Sequence, residues 1–76
     1  MEKQAVVREL EKLVSQDAGV DYDQISNWAY KVRLDSLREL DRETLDVLED
    51  LGSMNMGPEF EWSKEDLQEL ILRWKR

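Results

Sequence analysis

Through most of the chain, apolar residues recur three or four positions apart rather than two, and the only proline is Pro58. Such spacing lines one face of an α-helix, whereas alternation would line one face of a strand. Absence of proline elsewhere leaves the helical hydrogen-bond ladder uninterrupted. The expected fold class is all-α: a small four-helix domain with a short connector near 34–41 and an irregular loop near 52–62.

The elements follow from stripes and punctuation. Val6, Leu10, Leu13 and Val14 share a face and predict a first helix over 3–17, after which Gly19 suits a left-handed position. Asp21 with Gln24 three residues on has capping-box spacing, and Ile25, Trp28, Ala29 and Val32 continue a second helix that ends near Arg33. Leu34, Leu37 and Leu40 recur at intervals of three, as in a tight turn or a packed connector. Asp41 then caps a third helix over 42–51, carrying Leu45, Leu48 and Leu51, with Gly52 as its stop. The run 53–62 contains Gly57-Pro58 and no helical pattern. Ser63 with Asp66 at cap spacing, acids in the first turn, and Arg73, Lys75 and Arg76 in the last suit both poles of a fourth helix, striped by Leu67, Leu70, Ile71 and Trp74. The predicted core is Leu10, Ile25, Trp28, Leu48, Leu67, Leu70, Ile71 and Trp74.

At 76 residues the chain suits one helical domain, 1–76, around one modest core. It has no cysteine and no histidine, which removes disulfides, Cys/His zinc sites, imidazole bases and thiol nucleophiles together. Carboxylates are the only plentiful reactive groups, and no two are singled out as a catalytic pair of unequal pKa. Asp21-Tyr22-Asp23 opens like a calcium loop, but Ser26 stands where the glycine belongs and Val32 where the glutamate belongs, so Asp21 reads as a helix cap. The expectation is a protein that is not an enzyme, with no catalytic, cofactor or metal residues.

Charged residues interrupt the first thirteen positions, which gives no signal-peptide pattern, and no stretch approaches the ~20 apolar residues of a membrane span. The lack of stapling cysteines in so small a chain points to a reducing compartment, the cytoplasm. A net charge of −7 disfavours nucleic acid and anionic lipid as partners.

That charge is unevenly spread. Residues 35–69 hold twelve acids against three bases, a net of −9, while residues 1–34 nearly balance and 70–76 add three positive charges. Inside the acidic stretch the 53–62 loop carries Met54, Met56, Phe60 and Trp62, side-chain types that protein contacts favour. A solvated face accounts for such a charge run as well as a partner surface does, and a hydrophobic staple, Trp62 packing on Leu67, accounts for that tryptophan. The functional expectation is a protein-interaction domain of adaptor or inhibitor type. It would bind a basic protein through Asp46, Glu49, Asp50, Met54, Met56, Phe60 and Trp62.

In size, acidity and helical build the chain resembles the bacterial immunity proteins that neutralise nuclease toxins through acidic, tyrosine-bearing surfaces. That resemblance implies a toxin-neutralising role. The family's tyrosine pair between its second and fourth helices has no counterpart, since Tyr22 and Tyr30 lie in or beside the second helix, so no site residues are carried over. Two other readings compete: a self-associating structural domain that forms a homodimer, and a nucleic-acid binder using Lys31, Arg33, Arg73, Lys75 and Arg76 as one patch, which the net charge opposes.

Overall fold

The computed structural model describes residues 2–15 and 19–75. Among these residues four α-helices run in the order α1 (Lys3–Val14), α2 (Tyr22–Asp35), α3 (Arg42–Gly52) and α4 (Lys64–Lys75), with two short 3-10 turns, Met54–Met56 and Pro58–Phe60, between α3 and α4. Among the described residues there is no strand. The expected 3–17 helix is helical to Val14, where the Ser15 N–H donates to the Glu11 carbonyl; its end at 16–18 lies outside the described residues, as do Met1 and Arg76.

The starts of α2, α3 and α4 are closed by the side chains the spacing indicated. Asp21 Oδ1 accepts the Gln24 N–H at 3.1 Å, and Asp41 Oδ2 accepts the Thr44 N–H at 3.3 Å. Ser63 and Asp66 reciprocate: Ser63 Oγ accepts the Asp66 N–H at 3.1 Å while the Asp66 carboxylate accepts the Ser63 N–H at 3.4 Å. Each bond satisfies a backbone donor that the helical ladder leaves open.

Two boundaries differ from expectation. The second helix continues past Arg33 to Asp35, and the Ser36 N–H bonds the Val32 carbonyl at 3.0 Å. Ser36 is buried and its carbonyl accepts from both Glu39 and Leu40, so the connector is a turn wound on a buried serine. Of its three leucines only Leu40 is buried; Leu34 and Leu37 face solvent. The third helix does stop at Gly52, one residue beyond the expected 51, with Gly52 itself its last residue and backed by Tyr30; the left-handed glycine is Gly19, at φ +94°.

Helix α2 packs along α3, and α1 along α4, with α1 also touching α2. Between them lies one buried cluster that contains every predicted core residue except Trp28. Trp28 is half-buried against it because its indole N–H reaches out to Glu9 Oε1 at 2.9 Å. Ser26, buried on α2, donates to the Leu51 carbonyl at 3.0 Å and so ties α2 to the end of α3. Lys75 pairs with Glu11, and the Lys3 ammonium sits 5.9 Å from the centre of the Trp74 ring, joining α4 to α1. No helix among the described residues is long and apolar enough to cross a membrane.

Candidate protein-docking groove

The segment after α3 is pinned at both ends. Met54 inserts fully into the core, and Trp62 packs against the cluster that includes Leu67, as a staple at the start of α4 would. The Trp62 carbonyl also accepts the Tyr22 hydroxyl at 2.7 Å, a bond across forty residues that holds the entry to α4 against the start of α2. Between these anchors the two 3-10 turns carry the chain over the surface, and the Phe60 N–H closes the second turn on the Gly57 carbonyl at 3.0 Å.

An open groove of about 920 Å³ lies between this segment and α4. The end of α3 supplies Asp50 and the following Ser53, the segment supplies Glu59, Phe60, Glu61 and Trp62, and α4 supplies Asp66, Glu69, Leu70, Leu72 and Arg73. Asp66, Glu69, Leu70 and Arg73 stand at i, i+3, i+4 and i+7, one face along two turns of helix. Five carboxylates therefore surround the exposed ring of Phe60, the half-buried ring of Trp62 and the exposed Leu72, with one guanidinium among them.

Of the seven residues expected to bind, Asp50, Phe60 and Trp62 line this groove. Asp46 and Glu49 are also exposed on α3 but lie outside the groove, and Glu49 stands 3.9 Å from Arg33 of α2. Met56 is 74% exposed on the first short turn, also outside it. Met54 is corrected: at 0% exposure its side chain belongs to the core and has no surface to offer a partner. Glu59, Glu61, Asp66 and Glu69 belong to the acidic stretch but were not among the seven, and sequence reasoning missed Leu72 and Arg73 altogether. The signal for Leu72 was present, because it falls off the stripe of Leu67, Leu70, Ile71 and Trp74 and so had to face outward.

Three of the five bases that a nucleic-acid patch would use have acidic neighbours instead. Arg33 lies by Glu49, Arg73 lines the acidic groove and Lys75 pairs with Glu11, while Arg76 is outside the described residues. Among the described residues no group of three or more acidic side chains is placed to hold a metal ion. No family model matches the chain, and no curated protein or solved structure matches it.

Proposed function

We propose that this chain is a non-enzymatic protein-interaction domain of adaptor or inhibitor type, working in a reducing compartment such as the cytoplasm, whose acidic groove receives a basic segment of another protein. The observation that carries this reading is the composition of the groove wall: five carboxylates around Phe60, Trp62 and Leu72. Charge of one sign attracts and orients an oppositely charged segment, and the apolar centre retains it once water is displaced. A purely solvated acidic face has no need of exposed Phe60 and Leu72 at its middle. The groove holds no imidazole, amine or thiol, and its carboxylates line an open surface rather than a closed cleft that would set two of them at unequal pKa, so recognition rather than chemistry is the work its residues suit.

The test uses two synthetic peptides, one combining lysine and arginine with a leucine or aromatic anchor, the other with the anchor replaced by serine. Amide resonances of residues 50–73 are expected to shift on adding the first, with binding weakening as salt rises. Glu61→Lys with Glu69→Lys should slow association, whereas Phe60→Ala should speed dissociation and weaken binding about tenfold. Equal binding of the two peptides, or shifts centred away from residues 50–73, would sink the proposal.

A further inference from the structure

A second surface carries the opposite chemistry. On α2 and the turn after it, Tyr30, Leu34 and Leu37 follow one another at i, i+4 and i+7 and are 60%, 49% and 51% exposed. The buried side of α2 is formed by Ile25, Ser26, Ala29 and Val32, so these three side chains stand off the core and are about half exposed, with the base of Tyr30 resting by Gly52. Lys31 and Arg38 adjoin them in the chain and are exposed, Arg33 beside Leu34 stands 3.9 Å from Glu49 of α3, and Asp35 is the one acid from Tyr30 to Arg38. With Arg33 matched by Glu49, Lys31 and Arg38 against Asp35 still leave a small positive balance around an apolar centre, in a chain of net charge −7.

The groove is its complement: an apolar centre of Phe60, Trp62 and Leu72 inside a rim of Asp50, Glu59, Glu61, Asp66 and Glu69. Both surfaces are open at once in the folded chain, so one molecule does not satisfy its own pair. We infer that the occupant of the Tyr30–Leu34–Leu37 patch is the acidic groove of a second copy of this chain, a patch-to-groove association. Small cores commonly gain from such help, and contact between two different patches needs only that each find its complement on the neighbour. The inference rests on the groove being a docking surface, as proposed above, and adds that the chain itself carries a ligand for it. A basic partner and a second copy then compete for the groove, so assembly holds the groove closed until the partner arrives.

Sedimentation equilibrium from micromolar to millimolar protein tests it. The average mass of the unaltered chain should rise with concentration and fall back as salt is added. A patch variant, Leu34→Ala with Leu37→Ala, and a groove variant, Phe60→Ala with Leu72→Ala, alter side chains that are already exposed, so both should fold, with helical circular dichroism as the check. Each alone should associate about tenfold or more weakly. An equal mixture keeps one intact patch and one intact groove, and should regain the mass of two chains. A single-chain mass throughout for the unaltered protein overturns the inference. So does undiminished association of either variant by itself, or a mixture that regains nothing. The basic anchored peptide separates this from the partner reading. If it binds a chain that never self-associates, self-assembly alone is wrong; if self-association follows the variants but no basic peptide binds, the partner reading alone is wrong.

Discussion

Met54 and Met56 stand two positions apart in one 3-10 turn, the first wholly buried and the second 74% exposed. Three residues complete such a turn, so residues two apart point to different sides, and the docking of the turn decides which side is the core. Nothing in the residue types distinguishes them beforehand. The glycines illustrate the same dependence on backbone. Gly19 has a left-handed φ, where a Cβ is strained despite open space around it, so Gly19→Ala should cost about 1–2 kcal/mol. Gly52 is helical, and a Cβ there would lie 3.8 Å from Tyr30 Cβ, an ordinary contact, so Gly52→Ala should stabilise by about 0.4–1 kcal/mol. Thermal unfolding of the two variants reads both effects, and a loss of stability in Gly52→Ala would contradict the helical end of α3.

At the scale of the element, helix starts were more legible than helix ends, although Gly52 did mark the end of α3. Starts depend on local partners: Asp21 with Gln24, Asp41 with Thr44, and Ser63 with Asp66 all sit three residues apart, and all three bonds form. Ser63→Ala should therefore lower stability by about 1 kcal/mol in denaturant unfolding. Asp41 adds a pH dependence. The Thr44 hydroxyl donates to its carboxylate at 2.6 Å and, with burial opposing, holds its pKa below the ordinary 3.8. A depressed carboxylate pKa stabilises the fold above the unfolded value and loses that contribution as pH falls through the folded one. Acid unfolding of Asp41→Asn should accordingly show a weaker dependence on pH below about 4 than the parent. An unchanged acid limb would remove the Asp41 carboxylate from the account. Ends, by contrast, were decided by packing: α2 runs on to Asp35 because Ser36 and Leu40 are buried beyond it, which the leucine spacing alone does not reveal.

For the molecule as a whole, the periodic stripes placed seven of the eight expected residues in the core, because each helix needs one apolar face and four such faces have few ways to meet, but they did not mark Met54, which enters it from the segment after α3. Leu70 lies at the centre of α4 and is 2% exposed, so Leu70→Ala should cost about 2–5 kcal/mol, and a melting temperature near the parent's would overturn the packing. The candidate site was legible in charge but not in shape. The acidic stretch was plain, yet which of its carboxylates share a groove depends on how the 53–62 segment folds back on α4, and that path is set by distant anchors: Met54 in the core and the Tyr22 hydroxyl on the Trp62 carbonyl.

The three tryptophans occupy three unlike settings. Trp74 is almost wholly buried beneath Lys3, Trp28 is half-buried with its indole bonded to Glu9, and Trp62 is half-buried in the groove wall. Only the last has an environment that changes when something enters the groove. The chain thus carries a built-in optical gauge: displacement of water from Trp62 moves its emission to shorter wavelength while Trp28 and Trp74 supply a constant background, and occupancy can be followed by intrinsic fluorescence without a label.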